Sequence, residues 1–337
     1  MQNLVLSVFM WILGLSALVG NFFALVWRLK EKTKSPIQFI QSFLISNLAV
    51  SDLLMGIYMV IIASADAYYG DDYFKYSDGW RTGRMCKFAG FLSLLSSETS
   101  VFLLTLISVD RCLSAALPFS KIHLTKSSVK IVGFILWIVA FILSVIPVLV
   151  ASPESDLYDL SDVCIGLPLI TRPASFSLHQ SQVGNSMTGF TVDLPVSDES
   201  KPAWLFSIAL FLGVNLVCFL VIFICYVIVF VALRNSSRRV KRKKASHDEE
   251  IKMAVKMAII VGTDFLCWMP VIIMGVLSQT GLAVIPLEAY TWSVVFILPI
   301  NSSLNPYLYT ITTIISNRNN RVAPSTASRA QDRTADA

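Results

Sequence analysis

Charge is what this sequence has least of. Only 15% of its 337 residues are Asp, Glu, Lys or Arg, against 55% hydrophobic, where soluble domains carry about 25% and about 45–50%. The length would hold two or three soluble domains, but the charge to solvate them is missing. Histidine is scarcer still. His123, His179 and His247 are scattered across loops, so neither a metal centre nor a catalytic triad is supported and no enzyme is indicated. No internal repeat is visible, which weighs against a transporter built from duplicated halves. The run Ala289–Asn317 contains no lysine, which excludes a retinal Schiff base in the last span. With a mean hydropathy of +0.67, the composition also excludes a nucleic-acid binder, a secreted disulfide miniprotein and a disordered tail.

What the chain has instead is long uncharged runs. Leu4–Trp27 gives 24 residues, Ile131–Pro153 gives 23, Pro202–Leu233 gives 32 and Ala289–Asn317 gives 29. Three more apolar segments carry a single acid each: Ile37–Ala65 around Asp52, Phe88–Val109 around Glu98, and Met257–Leu287 around Asp264. About 20 helical residues cross a bilayer core, so each segment is long enough. The expected architecture is an all-α membrane protein, a bundle of seven transmembrane helices over residues 1–317. The spans fall at about 4–28, 37–65, 86–111, 129–152, 203–233, 250–278 and 287–315. Residues 318–337 form a short, polar, disordered tail. A signal peptide is disfavoured for the first run, which lacks a basic leader and is too long.

The basic residues orient the bundle. Segments after spans 1, 3, 5 and 7 hold 21 of the 27 Lys+Arg, whereas the opposite face holds 6 Lys+Arg and 12 acids. One face is therefore +14, the other −6 and the interior −3. By the positive-inside rule the N-terminus is outside and the C-terminus cytoplasmic. Most loops are short. The external stretch Thr171–Ser200 reads as irregular and mobile, and the internal run Arg234–Lys244 reads as a solvated loop or as a binder of anionic lipid.

Topology also sorts the cysteines. Cys218, Cys225 and Cys267 lie within spans, and Cys112 sits at the cytoplasmic end of span 3. Only Cys86 and Cys164 face the oxidising side, and a pair on one face suggests a disulfide tying the second external loop to helix 3, the alternative being two free thiols. The two N-x-S/T matches, Asn235 and Asn301, fall in the cytosol and in a span, so neither is expected to be glycosylated.

An acid inside a span is by default a functional candidate. Asp52 ends the stretch Asn47-Leu-Ala-Val-Ser-Asp52, span 3 ends in Asp110-Arg111-Cys112, span 6 holds Cys267-Trp268-Met269-Pro270 and span 7 holds Asn305-Pro306-Tyr307-Leu308-Tyr309. Gly20-Asn21 lies in span 1. Each match is weak alone. In order, and on the right spans, they resemble a rhodopsin-like G-protein-coupled receptor over residues 5 to 315. Four stretches are similar to the leucine-rich-repeat-containing receptors: Thr263–Trp268, Ser97–Val101, Asp52–Tyr58 and Leu298–Pro306. Span 5 (Phe211-Leu-Gly-Val-Asn-Leu216) and span 7 look most like the relaxin receptors in that group, and the lack of a proline within span 5 also suits the group and not most other rhodopsin-like receptors. Cys112 departs from the aromatic usual in the wider family, and the second external loop is longer than the group's. The group's hormone-binding repeats have no counterpart here, so a fragment of a larger receptor or a receptor without that module is expected.

The resemblance implies roles for particular residues. Arg111 would pair with Glu250 in the inactive arrangement, with Asp110 as neighbour. Arg111 and Ser100 are 11 residues apart and Glu250 and Trp268 are 18 apart, so each pair shares a helix face. Glu250 could instead belong to a solvated trio with Asp248 and Glu249. Asp52, Ser100, Asn301, Ser302 and Asn305 would surround a hydrated sodium ion, or Asp52 could be protonated or water-bonded without one. Asp264, one turn below Trp268, would bond across to Asn301 or Asn305 and restrain helix 6, which pivots at Pro270. Tyr226 and Tyr309 would swing towards Arg111, opening a cavity for a G-protein α subunit. Glu98 is a buried acid without an evident partner. The implied protein is a plasma-membrane receptor for a peptide or glycoprotein hormone, relaxin-like, that uses the stimulatory G protein and cyclic AMP. An orphan or constitutively active receptor with a small ligand in the bundle is the alternative, and a channel or transporter a remote one. An amine receptor is disfavoured because Ser93, not an acid, lies five turns above Arg111.

Overall fold

The computed structural model describes residues 4–30, 35–116, 124–150, 163–165, 177–183, 187–193, 206, 209–239, 262–263, 265–274, 276–277, 282 and 292–308. Apolar runs of this length become helices because in lipid each backbone N–H and C=O needs a partner inside its own segment. In chain order these are α1 (Leu4–Lys30), α2 (Pro36–Tyr69), a short α3 (Tyr73–Arg81), α4 (Arg84–Ala116) and α5 (Lys126–Val150). A π-helical stretch, Ala209–Asn215, leads into α6 (Leu216–Arg239). After the short apolar α7 (Phe265–Met274), a second π stretch (Ser293–Ile297) leads into α8 (Leu298–Pro306). Among the described residues, five helices are long and apolar enough to cross a membrane: α1, α2, α4, α5 and Gly213–Ala232, which runs from the first π stretch into α6. The sixth and seventh expected spans are described only in part, by α7 and α8.

The helices overrun the limits read from hydropathy. α2 continues to Tyr69, α4 begins at Arg84 and ends at Ala116, and α6 reaches Arg239. Polar residues end the apolar run at a bilayer edge without ending the backbone hydrogen-bond ladder. α2 does start where its sequence dictates: Ser35 accepts from the Gln38 amide at 3.2 Å, with Pro36 in the first turn.

One expectation is corrected. The stretch Thr171–Ser200, read as irregular, contains an antiparallel hairpin of β1 (Ser177–Val183) and β2 (Met187–Asp193), paired from Ser177↔Asp193 to Val183↔Met187. His179, taken for a loop residue, is in β1 opposite Thr191. Backbone pairing can hold two strands whose side chains are mostly polar, and such pairing leaves little trace in composition.

α4 is the central helix. Every residue from Leu92 to Leu104 is buried, which requires neighbours on all sides. It packs against α2, α5 and α6, while α8 lies against α1 and α2. The outer helices turn apolar side chains away from the bundle, among them Phe22, Phe23, Phe134, Phe223 and Phe230, a surface suited to lipid. Two glycines permit the closest approaches. A β-carbon at Gly20 would stand 2.7 Å from the ring of Pro306, and one at Gly56 2.9 Å from the backbone nitrogen of Leu18. The Gly20-Asn21 motif of span 1 thus owes its glycine to α8. Its asparagine does similar work, because Asn21 Nδ2 donates to the Ser302 carbonyl at 2.9 Å and to the Ala17 carbonyl at 2.9 Å.

Candidate functional site

At the start of α4, Cys86 and Cys164 form a disulfide with Cα atoms 5.1 Å apart. The loop is pinned a second time, because Tyr58 Oη of α2 donates to the Val163 carbonyl at 2.7 Å. Cys164 itself takes a φ of +54°, a conformation unfavourable for a residue with a β-carbon. The disulfide and the Tyr58 bond hold it there.

A buried polar cluster lies further in. Asp52 is fully buried, and its Oδ2 accepts from Asn305 Nδ2 at 2.9 Å. The Ser302 side chain adjoins the same carboxylate. Ser96 Oγ donates to the Ser51 carbonyl at 2.6 Å, fixing α4 against this part of α2. Asp52 Oδ1, Ser100 Oγ and Asn305 Oδ1 are buried without a hydrogen-bond partner among the described residues. Asn301 and Ser302 are buried beside them on α8. Asp52, Ser302 and Asn305 are therefore brought into contact, and the unpartnered atoms are all oxygens, the donor type a hard cation takes.

The partner of Glu98 is Asn215. Both side chains are fully buried, and Asn215 Nδ2 donates to Glu98 Oε1 at 3.1 Å, joining α4 to the π stretch before α6. Sequence reasoning missed this pair. The available signal was that Asn215 is the one amide within Pro202–Leu233.

Near the C-terminal end of α4, Arg111 pairs with the carboxylate of Asp110. Gln41 of α2 completes the clamp when its amide oxygen faces the guanidinium, accepting at 2.8 Å. Gln41 precedes Asp52 by 11 residues, three turns on the same face of α2, and it too went unread. Tyr226 of α6 is half-buried, with Ser108 and Arg111 as neighbours. Trp268 of α7 is buried against the ring of Phe219, centroids 6.1 Å apart, and Pro270 is exposed. Trp137 Nε1 donates to Asn47 Oδ1 at 3.0 Å, so the asparagine of the Asn47–Asp52 stretch anchors α5 to α2. Glu250, Asp264 and Tyr309 lie outside the described residues, and with them the expected Arg111–Glu250 pair.

The ordered motifs, the loop disulfide and the Asp110–Arg111 pair at the end of a central helix have their counterpart among known proteins. Residues 20–309 match the 7 transmembrane receptor (rhodopsin family). The chain belongs to the rhodopsin family. It is 36% identical over 313 residues to the G-protein coupled receptor GRL101 of Lymnaea stagnalis, covering 93% of this chain and 25% of that protein. Relaxin receptor 2 of Canis lupus familiaris is 32% identical over 313 residues, covering 93% of this chain and 38% of that one. The thyrotropin receptor of the same species is 29% identical over 311 residues, with 91% and 35% covered. The likeness to leucine-rich-repeat-containing receptors, relaxin receptors among them, is borne out. As a rhodopsin-family protein the chain is a multi-pass receptor of the plasma membrane and not an enzyme. It spans a quarter to about two-fifths of the length of these relatives.

Proposed function

We propose that this rhodopsin-family bundle transduces the binding of a peptide or glycoprotein hormone, relaxin-like, into activation of a heterotrimeric G protein. The basic face is then cytoplasmic, and the partner is the stimulatory G protein that raises cyclic AMP. The observation that supports this most is the clamp on Arg111. One guanidinium at the inner end of the central helix is held by Asp110 and Gln41, with Tyr226 alongside on a second helix. Releasing such a group exposes a cationic side chain between α2, α4 and α6, where the end of an acidic partner helix can seat.

Asp52, Ser100, Asn301, Ser302 and Asn305 would hold a sodium ion in this reading, balancing the Asp52 carboxylate between α2, α4 and α8. The ion would restrain the arrangement from which Arg111 is released.

The test is nucleotide exchange. The chain in lipid nanodiscs is expected to accelerate GDP release from a purified stimulatory heterotrimer, and Arg111→Ala to abolish the acceleration. Failure with stimulatory, inhibitory and Gq-type heterotrimers alike, together with ion flux across vesicles holding the chain, would overturn the reading in favour of a conducting protein.

A further inference from the structure

α4 and α6 meet along a polar seam. Asn215 bonds to Glu98 midway, Cys218 lies beside Thr105, Tyr226 lies beside Ser108, and the Cys112 side chain adjoins the Cys225 thiol at the inner end. Both of these thiols are free. Cys225 is buried and Cys112 is half-buried. Cys112 follows Arg111 in α4, and Cys225 precedes Tyr226 in α6.

We propose that Cys112 and Cys225 form a site of oxidative modification, at which a hydroperoxide converts the two thiols into a disulfide that ties α4 to α6. The site stands on the placement of the two side chains; its consequence for coupling rests on the G-protein reading above. The half-exposed Cys112 is the sulfur that meets the oxidant, and the buried Cys225 resolves the product. Cys112 sulfur attacks the peroxide, the O–O bond breaks, and a sulfenic acid forms on Cys112 as an alcohol or water leaves. Cys225 sulfur then attacks the sulfenic sulfur. The S–O bond breaks, the S–S bond forms, and the released hydroxide takes the Cys225 proton and leaves as water. Two thiols lose two electrons and two protons, and the peroxide is reduced by two electrons. In a glutathione-rich compartment the bond is transient and reversible, the form in which intracellular disulfides act as redox sensors.

Such a bond joins the immediate neighbours of Arg111 and Tyr226. It holds α6 on α4 at the level where a cavity for a G protein must open, so the oxidised form is expected not to couple.

The experiment treats the nanodisc-embedded chain with hydrogen peroxide, maps its peptides under non-reducing conditions, and measures GDP release from the heterotrimer before and after. A peptide pair linked through Cys112 and Cys225 is expected, absent in Cys112→Ser and in Cys225→Ser and removed by dithiothreitol. GDP release is expected to fall at least tenfold in the wild type and to recover on reduction. Each serine variant, compared with its own untreated activity, is expected to resist the oxidant. Oxidation of the two thiols to separate sulfinic acids with no linked peptide would overturn the site. A linked peptide with unchanged GDP release would overturn its control of coupling. Should the reduced chain fail to act on any G protein, that counts against the receptor reading, and the peptide map still decides the site.

Discussion

Replacing Asn215 by leucine isolates the contribution of a single buried amide. Leucine keeps the volume and the apolar contacts of this position but removes the Nδ2 donor. Glu98 is fully buried and its Oε2 already has no hydrogen-bond partner among the described residues. The substitution would leave Oε1 without one as well. An orphaned buried polar group costs about 1–3 kcal/mol in water-soluble proteins. Interhelical hydrogen bonds in membranes contribute less, about 0.6 kcal/mol on average and up to about 1.7, because separated helices find other partners. Full burial and the missing second partner place this bond at the upper end, so a loss of about 1.5 kcal/mol is expected. Glu98→Gln should be nearly neutral, since the new amide still accepts from Asn215 Nδ2 and can donate to Asn215 Oδ1, which also lacks a partner among the described residues. Glu98→Leu strands the Asn215 amide and should cost about as much as Asn215→Leu. The double leucine variant strands nothing, so the cycle should show a coupling of about 1 kcal/mol. Thermal unfolding in nanodiscs reads this as a fall of about 3–6 °C for each single variant, at roughly 2–4 °C per kcal/mol. An unchanged midpoint for Asn215→Leu, or strict additivity in the cycle, would refute the argument that the two groups hold α4 and α6 together.

Three further outcomes follow from the same geometry. Gln41→Leu removes a bond of about 1 kcal/mol from Arg111 and should raise basal GDP release several-fold at equal expression; unchanged basal release counts against the clamp. Gly20→Val places a β-carbon against the rigid ring of Pro306, 2.7 Å away, and should lower stability by about 1–3 kcal/mol, read by the same melting assay, whereas Gly79→Ala, with open space around it, should not. Sodium should slow basal GDP release relative to choline at equal ionic strength, and Asp52→Asn should remove the difference; an equal sodium response in that variant would exclude Asp52 as a ligand.

Much of the fold was legible because it depends on totals along the chain. Hydropathy located the five long spans that the structure describes in full or nearly so, and the two cysteines on one face pair by compartment alone. The Asp110–Arg111 pair was readable because its partners are adjacent in sequence. Asn215 and Gln41 were not, for a physical reason. Hydropathy says that a segment crosses, but the rotation of each helix decides which amide meets which acid, and rotation is set by packing of residues far apart in sequence. Gln41 also sits near the end of an apolar run, where a polar side chain is ordinarily just the start of the aqueous boundary. The hairpin escaped for another reason. Its strands, Ser177–Val183 and Met187–Asp193, are short and largely polar, and the Gly184-Asn185 between them was the only local hairpin signal.

Asp52 and Glu98, two buried acids of the interior, share a type of partner, and this bears on how the bundle can switch. Asp52 is met by Asn305 and Glu98 by Asn215, while at the Asp110–Arg111 pair the Gln41 amide oxygen accepts from the guanidinium. In each case an amide reaches across from another helix. A lysine or arginine opposite a buried acid would make a pair that costs about 3–5 kcal/mol to break, enough to hold one arrangement against any modest signal. An amide gives about 1–2 kcal/mol. Bonds of this size, each on a different helix contact, would leave two arrangements of the bundle within a few kcal/mol of one another. A ligand with a differential affinity of that size can then shift the population. The surroundings of Asp52 and Glu98 are thus consistent with a switch built in part from amide–carboxylate contacts, neither of which is strong enough alone to lock the resting state.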